Sequence, residues 1–354
     1  MTQAVEEHRV DFHRMLLRLS GRLPDELIST SRRWLAEGEL VEIAQAVLFA
    51  ALANRVEMTE DDVALLHVVL AAAGEDVEPL ADLERTEDEL VPPYGLAPVG
   101  PADLAEHGDA VPYCIDLTLP YEGPGAVDEV DRAAVAAVAT GIDAIALWRV
   151  WRFPAVDAEG PPPRRIYLLQ GDAEGALPAL AAGIQQALEA AGETDPQVEA
   201  FLDPDDLPTF QRAAVGFSTL LWTAAPAEVP VVARLYDMPE DVFLPDHPRL
   251  DGEEREHVLG YLAGGTPLLM TTTLDNDVVD PEAGEVVPTG FLTDGRWVWV
   301  QAAEYYLRAY DLAPDPDLLE AIRANDYQPP EVDAVAVHRA LSVLYTPAEP
   351  VLSA

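Results

Sequence analysis

Few residues in this chain combine a reactive side chain with a spacing that could do chemistry. Gly216-Phe217-Ser218-Thr219-Leu220 comes within one residue of the Gly-x-Ser-x-Gly elbow that presents a serine nucleophile on a sharp strand-to-helix turn. The turn needs a small residue where Leu220 stands, so Ser218 reads as a serine in a packed segment. Glu254-Arg255-Glu256-His257 sets a carboxylate and an imidazole one helical turn apart, which is a quarter of a carboxylate di-metal bundle. No second Glu-x-x-His falls in a predicted helix, and His257 reads as an exposed or capping histidine. Asp275-Asn276-Asp277 with Asp280 resembles the opening of a calcium loop. Asp280 occupies the place of the sixth-position glycine and Val286 that of the twelfth-position glutamate, so the segment reads as a solvated turn. His247 lies between Asp246 and Pro248 in a loop, where it could pair with Asp246. The single cysteine, Cys114, has no readable base beside it, and a thiol without one is a small apolar side chain.

Composition excludes more chemistry than these motifs offer. All 21 basic residues are arginine. Without lysine there is no phosphate-loop lysine, no kinase-type lysine, no pyridoxal Schiff base and no lysine general base. One cysteine permits neither an intrachain disulfide nor a Cys-rich zinc site. Glycine-rich phosphate loops are missing; Gly264-Gly265 reads as a helix stop followed by a turn. The sequence therefore assigns no catalytic, cofactor-binding or metal-binding residue.

The net charge is −43, from 64 acids against 21 arginines. Repulsion from phosphates disfavours nucleic acid, and the same field disfavours anionic membrane surfaces. Residues 1–34 hold six arginines and five acids, so the acidity belongs to residues 35–354. A nearly neutral, arginine-bearing segment of this kind suits packing against its own acidic body or against a partner. No segment has the length and apolarity of a bilayer span, and the N-terminus lacks an apolar core of signal-peptide length, so the expected compartment is the cytoplasm.

The elements that must position these residues form an α+β chain. Apolar positions recur at helical spacing over residues 8–74, with Pro24-Asp25-Glu26 and Thr59-Glu60-Asp61-Asp62 as helix starts and Gly74 as a stop. This predicts a four-helix N-terminal module over 1–75. Residues 76–110 read as an acidic, proline-punctuated linker with some order around Tyr94. Residues 111–205 alternate as β-α-β-β-α-β: a strand at Val111–Leu119, a helix around Val127–Val138, strands at Ile142–Phe153 and Arg164–Gln170, a helix around Leu177–Leu188 and a strand at Gln197–Leu202. The Gly/Pro-rich stretch Ala155–Pro163 reads as the hairpin turn between the middle strands. The order is that of a central ferredoxin-like domain with two helices on one face of an antiparallel sheet. Trp148 and Trp151 then lie on opposite faces of one strand, so with helices on one face the other Trp is either exposed or covered by another domain, a hint of an interdomain or partner contact; Arg149 and Arg152 are rare cations in the same strand. Residues 206–325 read as a small C-terminal α+β domain. Phe210–Trp222 suits a helix or a buried strand, Val229–Leu235 a strand, and Asp294-Gly295 a tight turn between Val286–Phe291 and Trp297–Val300. Residues 326–354 form a tail with one helix.

The stretch Val286-Val-Pro-Thr-Gly-Phe-Leu-Thr-Asp-Gly-Arg-Trp-Val-Trp-Val300, followed by Ala303-Glu304-Tyr305-Tyr306-Leu307, resembles a C-terminal pattern in a family of uncharacterised proteins of GC-rich actinobacteria. Leu23–Gly38 is similar in style. These motifs are a tight turn and packed aromatics, so the resemblance carries no catalytic residue and no function. Small domains of similar appearance occur in proteins of bacterial conflict systems, which is an association only.

Two readings of function follow. The first is a non-enzymatic cytoplasmic binding or assembly protein, immunity-like in character, that presents an acidic surface to a basic protein partner; a homo-oligomeric assembly subunit is a variant of it. The second is a hydrolase or ligand-binding enzyme with a site between the central and C-terminal domains, built from His247, Asp246, Ser218 and Arg234.

Overall fold

The computed structural model describes residues 2–155, 161–238 and 242–346, with side chains from residue 8 onward. Most of the sequence-predicted turn Ala155–Pro163 and the end of the tail lie outside the described residues. The chain forms two compact units, Met1–Pro226 and Ala227–Ala354.

The first unit opens with four helices, α1 (Thr2–Leu19), α2 (Asp25–Glu37), α3 (Leu40–Asn54) and α4 (Glu60–Ala73). Phe12, Met15, Ile28, Leu35, Ile43, Val47 and Leu66 enclose their own apolar core. Pro24 with Asp25 and Glu26 begins α2, and Gly38 ends it with φ +85°. The Thr59 hydroxyl caps α4 by accepting the Asp62 amide. The proline-punctuated stretch that follows is built into the unit. Strand β1 (Tyr94–Ala97) pairs with the end of the long strand β3 described below, and helix α5 (Pro101–His107) follows it.

The central sheet uses β2 (Ile115–Asp116), α6 (Glu129–Val138), β3 (Ala144–Pro154), β4 (Arg164–Gly171), α7 (Leu177–Ala190) and β5 (Gln197–Phe201), then α8 (Thr209–Gly216) and β6 (Thr219–Thr223). The element order matches the sequence-based expectation, but ferredoxin-like pairing is not found. A ferredoxin-like sheet sets the first and third strands side by side; here the strand order is β2-β6-β3-β4-β5. β6 separates the first two strands, running parallel to β2 and antiparallel to β3. β5 is parallel to its neighbour β4 because α7 carries the chain back across the sheet. The sheet is mixed rather than antiparallel.

The nine-residue first strand also shortens to two residues. Asp116 accepts the Thr118 amide at 2.8 Å and its hydroxyl at 2.6 Å, an Asx turn that takes the chain out of the ladder. Phe210–Trp222 resolves into a helix and a strand, α8 and β6. This is why the boundary between units falls at Pro226 and not near residue 205: β6 hydrogen-bonds to the central sheet.

Both faces of the sheet are covered. Leu147, Tyr167, Leu169, Val198, Ala200 and Leu221 pack against Ala134, Val138, Ala181, Ile184 and Leu188 of α6 and α7. The other face carries Trp148, Val150 and Arg152, whose guanidinium bonds Asp25 of α2 at 2.6 Å.

The second unit contains β7 (Val231–Val232), α9 (Gly252–Ala263), β8 (Thr266–Leu269), β9 (Leu274–Asn276), β10 (Glu285–Pro288), β11 (Phe291–Thr293), β12 (Trp297–Val300), α10 (Ala302–Tyr310), α11 (Pro316–Ala324) and α12 (Ala334–Tyr345). One sheet has the order β7-β12-β11-β8, and β9 and β10 form a separate antiparallel pair. Asp294-Gly295 makes the predicted turn, now between β11 and β12. The Asp294 carboxylate accepts the amides of Arg296 and Trp297, and Gly295 has φ +88°. Trp299 lies under α9, where its indole donates to the Leu262 carbonyl at 3.2 Å. It stands so close to Gly265 that any Cβ there would strike its ring. No helix among the described residues is long and apolar enough to cross a membrane.

Candidate interaction surface and the fate of the candidate catalytic residues

Of the four residues named for a hydrolase site, Ser218, His247 and Arg234 each have partners within their own unit. In the first unit the buried Ser218 hydroxyl donates to the Val215 carbonyl at 2.7 Å. In the second unit His247 pairs with Asp237, not with its neighbour Asp246. Its Nδ1 lies 2.9 Å from that carboxylate and its Nε2 lies 2.9 Å from the Ala313 carbonyl. With both ring nitrogens facing acceptors, the imidazole ties the 237–247 loop to the segment before α11. Asp246 is exposed. Arg234 gives its amide and Nε to Asp315, the residue that caps α11.

The remaining motifs settle in the same way. Glu254 accepts from Arg323 at 2.7 Å, and the exposed His257 lies 3.9 Å from Glu253. Cys114 is buried and donates to the Gly216 carbonyl at 2.9 Å, and burial pushes its thiol up to about 12. Among the described residues no group of three or more His, Cys, Asp and Glu is placed to hold a metal ion.

The arginines show where the charge goes. Among the described residues thirteen of them pair with an acid of this chain. The two cations of β3 point to opposite faces and both are buried. Arg152 stacks over the Tyr94 ring, 4.5 Å from its centroid, and bonds Asp25. Arg149 meets the fully buried Asp131 of α6 and the Gly125 carbonyl at 2.8 Å. Asp131 also accepts from Tyr167 at 2.8 Å and Arg165 at 3.0 Å. Buried Arg149 and Tyr167 and part-buried Arg165 thus all donate to one buried carboxylate, as the polar accounting of a core demands.

The arginine-bearing N-terminal segment turns inward as well. Arg14 reaches Glu174, Arg33 reaches Glu189 of α7, and Arg32 sits 3.7 Å from the buried Glu199 of β5. Glu199 also accepts from Ser20 and, at 2.7 Å, from Gln211 of α8. His13 lies at the same seam with its Nε2 2.9 Å from the Ala200 carbonyl, and burial lowers it to about 4. The face of Trp148, which the alternation with Trp151 left as exposed or covered by another domain, is covered from within the first unit. The cover is these N-terminal helices, with Trp148 fully buried and stacked on Phe201.

Acids outnumber the cations left on the surface, and they gather in runs. The run Glu75–Glu89 contains eight acids and one arginine, and all eight acids are exposed. Arg85 is already committed to the carbonyls of Leu83 and Leu80 and to Glu60. In the second unit 24 acids face seven arginines.

Among the described residues of that unit three acids are buried, Asp277, Asp294 and Asp315. Asp277 anchors the loop between β9 and β10. It accepts from the hydroxyls of Tyr305, at 2.8 Å, and Tyr310, and from the amides of Val279 at 2.8 Å and Asp280 at 3.1 Å. Burial pushes its carboxyl up, but these four donors together hold it below the usual carboxylate range. Tyr306 donates nothing to Asp277; its hydroxyl accepts the Val278 amide. The resemblance of this segment to a calcium loop thus has a structural resolution: the key carboxylate is filled by protein donors.

No protein-family model, curated protein or solved structure matches this chain.

Proposed function

We propose that the protein binds a basic protein partner through its acidic surface, as an immunity-like or assembly factor without a catalytic step of its own. The observation that carries this reading is the asymmetric use of charge. Among the described residues thirteen of the arginines pair with acids of their own chain, and the run Glu75–Glu89 exposes eight acids around a single arginine, Arg85, that is committed to the Leu80 and Leu83 carbonyls and to Glu60. Such a surface raises the encounter rate with a basic partner and repels phosphate backbones. The hydroxyl, thiol and imidazole groups that a hydrolase would need already have structural partners.

The test is affinity capture with the full chain as bait in extracts of its own cells, at about 50 mM and about 500 mM salt, a range over which exposed charges become screened. The expected result is retention of one or a few basic proteins at low salt and their release at high salt. Replacing Glu84, Glu87 and Asp88 by their amides should weaken that retention. Retention of nothing at either salt would overturn the reading.

A further inference from the structure

The hairpin β9–β10 exposes apolar side chains that its own unit does not cover. Met270 is 63% exposed, Leu274 43%, Val278 49%, Val279 41% and Val286 38%. Soluble surfaces carry such side chains singly; here five fall within one short hairpin and its approach. The pairing explains part of it. Leu274 and Pro288 are register partners, and the next pair is Asp275 with Val287. Val287 is buried with Ala302, Tyr306 and Leu312, so Leu274 and Pro288 stand on the opposite face, away from α10. Val286 falls in the bulge between Glu285 and Val287 and projects without a register partner.

The hairpin is held rigid from below. Asp277 fixes the loop through Tyr305 and Tyr310, and the Asp277 amide donates to the Gly284 carbonyl at 3.0 Å across the hairpin. Its charge is of one sign. Between His257 and Arg296 the chain has no basic residue, while Asp280, Glu282 and Glu285 are exposed in the same loop and strand as the apolar side chains. Apolar side chains whose only charged neighbours along the hairpin are carboxylates repel acidic surfaces, including a second copy of this chain. It complements a segment in which apolar side chains are flanked by cations.

The geometry points to the β9–β10 hairpin as the docking surface for a basic, apolar-bearing polypeptide segment, with Met270, Leu274 and Val286 as the apolar contacts and Glu282 and Glu285 as the charged rim. This rests on the acidic-surface reading and names the place and the partner chemistry.

The experiment titrates the full chain, labelled for NMR, with a synthetic peptide of alternating Leu and Arg and with one of alternating Gly and Arg of equal length. The expected result is tighter binding of the Leu-Arg peptide, with shift changes concentrated in residues 270–288. Met270→Ser with Leu274→Ser, both at exposed positions, should weaken it about tenfold, as loss of central interface contacts does. Circular dichroism checks that the fold is kept. If this variant binds as the parent does while the Glu84, Glu87 and Asp88 amide variant loses binding, the hairpin assignment falls and the acidic-surface reading stands. If neither peptide binds at low salt, both fall. If the Gly-Arg peptide binds as tightly as the Leu-Arg peptide, charge alone is recognised and the hairpin assignment is overturned.

Discussion

At the scale of single residues, His13 makes stability depend on pH in a direction set by its surroundings. Burial, opposed by the Ala200 carbonyl, lowers it from 6.5 to about 4. The unfolded chain therefore binds a proton between about pH 6.5 and 4 that the folded chain refuses. Stability from this group is present above pH 6.5 and is lost as pH falls through that window, by up to about 3 kcal/mol. Urea midpoints measured across the window should fall less steeply for His13→Gln than for the parent. The Arg32–Glu199 pair gives a second expectation. Both groups are buried, so Arg32→Met leaves a carboxylate with one cation fewer and should cost about 3–5 kcal/mol, whereas Arg32→Met with Glu199→Gln should recover most of it. Equal losses in the single and double variants would contradict this. Cys114 should be inert to thiol reagents at neutral pH until the first unit unfolds, since burial raises its thiol to about 12. The structural reading of Cys114 was available in the sequence; the burial of His13 and the Arg32–Glu199 pair were not. Ser218 was read as a serine in a packed segment and His247 as able to pair with Asp246; His247's partner is Asp237, ten residues away, which only folding brings to it.

At the scale of elements, the legible features were those written locally. The helix starts at Pro24-Asp25-Glu26 and Thr59, the stop at Gly74 and the Asp294-Gly295 turn all appear where residue chemistry puts them. Pairing was not legible, because ladder partners are chosen by chain segments far apart. Thr219–Thr223 fills the place beside β3, and nothing in its own five residues announces that. The loop between β9 and β10 shows the converse case, in which a motif was noticed and its use was missed. Asp277 has protein donors in place of a cation, so Asp277→Asn should loosen the loop by about 1–3 kcal/mol, the cost of leaving buried donors poorly matched. Hydrogen exchange of the Val279 and Asp280 amides should quicken in that variant while the Trp299 core stays protected. Added calcium should change neither the parent's exchange nor its melting.

At the scale of the molecule, the division at Pro226 makes a prediction that the sequence-based division near residue 205 would not. A chain ending at residue 205 loses α8 and β6, and with them three kinds of support. Gln211 no longer reaches Glu199 or the Leu17 carbonyl, so a buried carboxylate loses a donor and α1 loses a tie to the sheet. Leu220 no longer lies beside Trp148 in the ladder, and Leu221 leaves the apolar layer under α6 and α7. β2 loses its only strand neighbour in the sheet order, and Cys114 loses the Gly216 carbonyl. Each loss leaves either an unmet buried polar group or uncovered apolar area, and several at once exceed the few kcal/mol by which a domain is stable. Residues 1–226 should therefore unfold in one cooperative urea transition with near-ultraviolet circular dichroism from buried tryptophan. Residues 1–205 should lack that signal and bind a hydrophobic dye, the mark of a collapsed chain without fixed packing. A cooperative transition in the shorter chain with the same midpoint as the longer one would show that β6 is dispensable to the sheet.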